Sequence, residues 1–128
     1  MYTEEHRAEY LRILGQVRNG ERQMDAKTIK EIIECMPNPY IAIKVVSQTG
    51  TCLGGHKVGD EWLMKGKDDG WKTPAGICIF AFDAIYSQIQ TLMFGGTFPW
   101  AYNPDVVRCA CPDSFNPVVF ELRRLKEI

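Results

Sequence analysis

The chain has 128 residues, 45% of them apolar and 24% charged, and its 15 Lys and Arg nearly balance its 16 Asp and Glu. That composition describes one ordinary folded domain and excludes low-complexity disorder, because aromatics at 11% give the chain enough apolar surface to offset its entropy. A formal charge of -1 gathers no phosphates, and the sequence holds no local basic patch, so no nucleic-acid partner is expected. The longest uncharged run, residues 84–104, is interrupted by Ser87, Gln88, Gln90, Gly95, Gly96 and Pro99, so no membrane crossing is expected. Residues 1–7 are charged and lack an apolar stretch, so the chain reads as cytoplasmic, without a secretory signal. Five Cys, an odd number in such a chain, point to free thiols or metal ligands rather than a disulfide framework.

In chain order, residues 3–18 predict a helix, with Thr3 as N-cap, Tyr10, Ile13, Leu14 and Val17 at helical spacing, and Asn19-Gly20 as the stop. A second helix starts from Asp25 as N-cap, carries Ile29, Ile32, Ile33 and Met36, and ends before Pro37-Asn38-Pro39. Each apolar stripe is narrow, so these two helices form an arm, residues 1–39, that needs the body or another subunit to cover it. The body, residues 40–128, opens with a buried strand at 40–47, followed by a Gly-rich loop at 49–56. Residues 57–65 predict a strand with Trp62 and Met64 on one face and Glu61 and Leu63 on the other, and Gly59-Asp60 marks a turn or bulge. A polar loop at 66–72 leads to the main helix, whose start is set at Thr73-Pro74, with Gly76 leaving open a later one nearer Asp83. Ile77, Ala81, Ala84, Ile85, Gln88, Ile89, Leu92 and Met93 line one side, and Gly95-Gly96 stops it. Residues 106–111 and 118–125 alternate and read as a hairpin joined by a Pro-bounded loop, with Arg108, Glu121 and Arg123 facing water. The fold expected is α+β: a small antiparallel sheet packed by one main helix and preceded by a two-helix N-terminal arm.

Cys52-x-x-x-His56, in a loop with Gly50, Gly54 and Gly55, is the strongest chemical signal. Thiolate and imidazole are both nucleophiles and transition-metal ligands, and glycines let backbone approach a ligand closely. Zinc or ferrous iron would need further ligands, which Cys78 at the main helix and Cys109 or Cys111 on the hairpin could supply, although no paired C-x-x-C exists. A second chemistry is nucleophilic catalysis, with Cys52 or Cys111 as thiolate and His56 as base. Cys35, Cys78 and Cys109 read, by preference, as small buried hydrophobes, His6 as a solvated residue, and Asp60 and Asp113 as turn residues. Asp83 reads as outward-facing on the main helix. Phe98 and Trp100 follow the double glycine and either enter the core or wall a pocket.

Together, 50–52, 55–62, 73–78, 82–86, Gly95-Gly96-Thr97-Phe98-Pro99-Trp100 and Cys111-Pro112-Asp113 resemble an uncharacterised family of small proteins spread mainly among anaerobic bacteria and archaea. The resemblance runs from Ile41 to the C-terminus and leaves the arm outside. It implies a shared Gly-Gly-x-Phe-Pro-Trp turn and a thiol before Pro-Asp, and it implies no activity.

The reading that follows is a homo-oligomeric protein in which Cys52, His56, Cys78 and Cys111 converge on a pocket walled by Phe98 and Trp100. Gly54 and Gly55 would offer backbone amides there, and the pocket would take a metal ion or a small organic ligand. Cys52 and His56 are the candidate catalytic pair. The rival reading is a non-catalytic accessory subunit that docks onto a larger enzyme through the arm and the aromatic turn.

Overall fold

The computed structural model describes residues 3–125. The chain divides into two compact units, Met1–Asn38 and Pro39–Ile128, so the boundary falls one residue before the expected end of the arm.

The first unit is a helical pair, α1 (Glu4–Arg18) and α2 (Ala26–Glu34). Thr3 caps α1 by accepting the His6 N–H, while the His6 ring accepts the Thr3 N–H in return, so His6 closes a capping box. Asn19 and Gly20 end the helix as expected: Gly20 takes φ +78° and donates to the Val17 carbonyl, and Glu21 donates to that of Gln16. Asp25 caps α2 through the Thr28 N–H, and Arg22 pairs with Glu31 across the turn.

The second unit is a four-stranded, wholly antiparallel sheet in the order β2-β1-β4-β3, with β1 at Tyr40–Gln48, β2 at Glu61–Met64, β3 at Val106–Ala110 and β4 at Val118–Leu125. The helix α3 (Ile79–Met93) connects β2 on one edge to β3 on the other. Strand alternation puts Ile41, Ile43 and Val45 of β1, Val107 of β3, and Val118, Phe120 and Leu122 of β4 on one face, all buried, where they meet Ala81, Ile85, Ile89 and Leu92 of α3. Each fully buried Ile or Leu contributes about 1.5–3 kcal/mol from area removed from water, which is why the 3.6-residue stripe fixes which side of α3 faces the sheet. On the opposite face Glu121 holds ion pairs with Arg108 and Arg123, as the alternation predicts.

Two boundaries differ from the sequence reading. Strand β2 begins only at Glu61, because Gly59 and Asp60 close a turn onto β1 through the Gly59 N–H to the Val45 carbonyl and the Val45 N–H to the Asp60 carbonyl. A bulge in the β1–β4 register between Val45 and Ser47 accompanies that contact. The main helix begins at Ile79, not at Thr73-Pro74, because Gly76 sits at φ +89°, outside helical geometry, and Ala75 gives its carbonyl to the Trp62 indole N–H. Its far end follows the double glycine: Gly95 donates to Leu92 and Gly96 to Thr91, a Schellman closure. Arg124 anchors the segment beyond, donating to the carbonyls of Leu92, Gly96 and Pro104 and to the Asp105 carboxylate. Among the described residues, no helix is long and apolar enough to cross a membrane.

Candidate functional site

The topology brings three loop ends to one end of the sheet. Gln48, the last residue of β1, pairs with Val118, the first of β4, and Cys111 directly follows β3 and pairs with Val118 through its backbone N–H. The loop 49–60 leaves β1 at this end, and the N-terminus of α3 arrives there. Cys52, His56, Cys78 and Cys111 consequently line a single cavity of about 470 Å³.

His56 organises the cavity. It is a buried polar side chain, 6% exposed, with its ring edge-on to Trp62 at 5.2 Å and to Phe120 at 6.2 Å. Its Nε2 accepts the backbone N–H of Cys78 at 3.0 Å, and its Nδ1 lies 3.9 Å from the Asp60 carboxylate, which itself accepts the Lys57 N–H. Accepting at Nε2 assigns the ring proton to Nδ1, on the Asp60 side. Cys78 is the N-cap residue of α3 and its own side chain caps nothing; the imidazole of a distant loop accepts the N-cap N–H, the bond that a Glu or Gln at N3 makes in a capping box.

Gly54 completes the junction. A Cβ placed on it would stand 3.3 Å from Cys78 Cβ, 3.7 Å from Cys52 Sγ and 3.8 Å from His56 Cδ2, so glycine lets the loop backbone pack closely against Cys78, with little room for a side chain. Gly55 takes φ +76° and donates to the Cys52 carbonyl, closing the turn that carries the thiol. The opposite wall is held by hydrogen bonds within the 112–117 loop. Asp113 accepts the N–H groups of Phe115 and Asn116, and these donors hold its carboxyl below the usual range. Asn116 reaches across to accept the Thr51 N–H at 3.0 Å, and Thr49 donates to the Pro117 carbonyl.

The thiols differ in setting. All five Cys are free. Cys52, Cys78 and Cys111 are half-buried at the cavity, and Cys111 Sγ accepts the Val118 N–H at 3.3 Å. Cys109 faces the core, where burial pushes its thiol up to about 11, and burial also raises that of Cys35 in the helical unit. These two are inert thiols.

Phe98 and Trp100 are placed elsewhere. They stack on one another at 5.0 Å, Phe98 packs against the core and Trp100 is exposed, and neither lines the thiol cavity. Asp83 points outward, as expected. Gly54 lines the cavity, whereas Gly55 shapes its turn. The sequence reading missed Phe80 and Asn116 as wall residues and the capping duty of His56. Among the described residues, no group of three or more His, Cys, Asp and Glu side chains is arranged to hold a metal ion. His56 Nε2, the nitrogen facing the thiol side, is already engaged by a backbone N–H, so the donors expected to take zinc or iron do not fit such an ion as they stand. Comparison with protein-family models, with curated proteins and with solved structures returned no match to this chain.

Proposed function

We propose that the α+β unit binds a small organic molecule in the cavity lined by Cys52, Cys78 and Cys111. The observation that carries this reading is that three free thiols and a His56 whose Nε2 is already engaged share one cavity of about 470 Å³. A cavity of that size falls within the range of roughly 300–1,000 Å³ that suits organic ligands, and is far larger than an ion needs. Its polar complement is small: soft sulfur, the Asn116 amide and the Asp113 carboxylate. In this reading His56 positions the wall by tying its loop to α3, and Cys52 is the thiol placed to meet a bound molecule. Free thiols suit a reducing, cytoplasmic setting.

The test is a screen of small organic fragments by ¹H–¹⁵N NMR of the whole chain and of Cys52→Phe, which adds bulk at a half-buried wall residue whose thiol makes no hydrogen bond among the described residues. Fragments are expected to shift residues 52–56, 78–81 and 111–118 in the wild type and to lose that effect in Cys52→Phe, with the spectrum of β1 and β4 unchanged. Hits that survive Cys52→Phe, or that map elsewhere, overturn the reading. Stoichiometric zinc lost in Cys52→Ser would replace it with a metal site. A second reading, a protein seated over the cavity mouth, draws on the bare side chains of Leu53, 98% exposed, and Phe115, 88% exposed. It gains if a co-purifying protein protects those two residues and no fragment binds.

A further inference from the structure

A second concavity, independent of the thiol cavity except for the shared wall residue Phe80, runs along the outward face of α3 and has a volume of about 800 Å³. Its walls carry four aromatic rings, Trp71, Phe80, Phe82 and Tyr86, and one charged group, the carboxylate of Asp83. Phe80 is 68% exposed, and Trp71 and Tyr86 are close to half exposed, so these rings are open to a ligand instead of being closed into the core. Phe82 and Tyr86 lie 5.9 Å apart at 40°, forming two adjoining walls.

Two features separate this groove from an ordinary exposed apolar face. Asp83 makes no hydrogen bond or ion pair among the described residues, and no Lys, Arg or His lines the groove to neutralise it. Trp71 holds a left-handed backbone at φ +63°, the sole non-glycine among the described residues to do so. The left-handed region costs a bulky residue energy, and such outliers persist where neighbouring structure enforces them. Here the Trp71 N–H is tied to the Gly66 carbonyl and Gly70 precedes it at φ +65°, which fixes where the indole is carried.

An aromatic ring is negative over its faces, and the lone carboxylate adds net negative charge. Both attract a cation, and the aromatic area favours one with apolar surface over a hydrated metal ion or a bare ammonium. We propose that this groove is a binding site for an organic cation, a tertiary or quaternary ammonium carried on an apolar or aromatic body. An anionic ligand would meet an unneutralised carboxylate and no basic partner.

The experiment titrates the intact protein with benzyltrimethylammonium, with choline and with 3,3-dimethylbutan-1-ol, the neutral carbon analogue of choline, and follows the indole N–H signal of Trp71 by NMR. Both cations are expected to shift that signal saturably, and choline to bind at least about fivefold more tightly than its neutral analogue. Asp83→Asn is expected to weaken choline by a similar factor and leave the neutral analogue unchanged, while Trp71→Ala removes the response at the Tyr86 and Phe80 amides to all three. Equal affinity for choline and the alcohol, no effect of Asp83→Asn, or no saturable shift with either cation would each overturn the proposal. Fold is checked by the unchanged amide spectrum of β1 and β4. Because the thiol cavity is read at residues 52–56 and 111–118, failure at either site leaves the other standing.

Discussion

The contact between loop 49–60 and the hairpin loop can be measured by a coupling energy. Gly50 takes φ +69°, and a Cβ there would overlap Asn116 Oδ1 and sit 3.1 Å from its Cγ. In Gly50→Ala two terms add. The left-handed backbone costs an alanine about 1–2 kcal/mol. The amide of Asn116 must also swing away, and its acceptance of the Thr51 N–H, worth about 0.5–1.5 kcal/mol net, is lost. The expected destabilisation is therefore about 1.5–3.5 kcal/mol. Gly55→Ala is the internal reference, since Gly55 has φ +76° but nothing within 4 Å of its added carbon, so only the backbone cost of about 1–2 kcal/mol applies. In an Asn116→Ala background the overlap disappears, and Gly50→Ala should fall back to the cost of the Gly55 reference, giving a coupling of about 1 kcal/mol between positions 50 and 116. Urea denaturation followed by far-UV circular dichroism resolves that difference if the slope is the same in all four proteins. A coupling below about 0.3 kcal/mol, or Gly50→Ala no worse than Gly55→Ala, would show that Asn116 does not latch the two loops.

Other expectations concern the remaining polar groups. With its thiol pushed up to about 11, Cys109 is ionised in about one molecule per thousand at pH 8, so iodoacetamide mapped by peptide mass should modify Cys52 well before Cys109. Because the folded state retains that proton longer than the unfolded one, stability should fall between about pH 9 and 11, and less steeply in Cys109→Val than in the wild type. The Asp113 carboxyl, lowered by the Asn116 and Phe115 N–H groups, contributes stability above its ordinary value of 3.8 that is lost as pH falls. The amide proton shifts of Phe115 and Asn116 should accordingly titrate with a midpoint below 3.8, and a midpoint at or above it would contradict the hydrogen bonding. His56→Ala removes the acceptor of the Cys78 N–H and the packing against Trp62 and Phe120, at a cost of about 3 kcal/mol by urea denaturation, and a cost under about 1 would refute its capping role.

What the sequence made legible were the elements with a single dominant cause. Thr3 and Asp25 are local caps, Gly20 and Gly95 end their helices by a conformation that glycine adopts easily, and two-residue alternation fixed the buried faces of β1, β3 and β4. Boundaries went astray where distant partners decide the outcome. The start of α3 depends on His56, far away in sequence, more than on Thr73-Pro74, and residues 57–60 turn because β1 receives them. The convergence of Cys52, His56, Cys78 and Cys111 matches their loop settings, but Phe98 and Trp100 do not wall that cavity. Taken alone, their motif reads as core packing, which holds for Phe98, and the pocket reading misplaced both; the Arg124 hydrogen bonds, made by a residue of β4, anchor the turn to the C-terminal end of α3 instead.

The capping bond changes how variants at the thiol cavity must be interpreted. An imidazole that touched only a ligand could be removed at little structural cost, and loss of binding in His56→Ala would then identify a ligand contact. Here the same ring ends a helix and fills space between Trp62 and Phe120, so its removal lets the N-terminal turn of α3 move and carries Cys78 and Phe80, two walls of the cavity, with it. Binding would be lost whether or not the imidazole ever met a ligand. Gly54 is no better, because a Cβ there would already press on Cys78 at 3.3 Å. Cys52 is less entangled: it is half-buried at the cavity wall, and the turn it belongs to is closed by its backbone carbonyl, which accepts the Gly55 N–H whatever the side chain. Bulk added at Cys52 enters the cavity without removing the His56–Cys78 bond, so position 52, and not position 56, is where binding can be separated from folding.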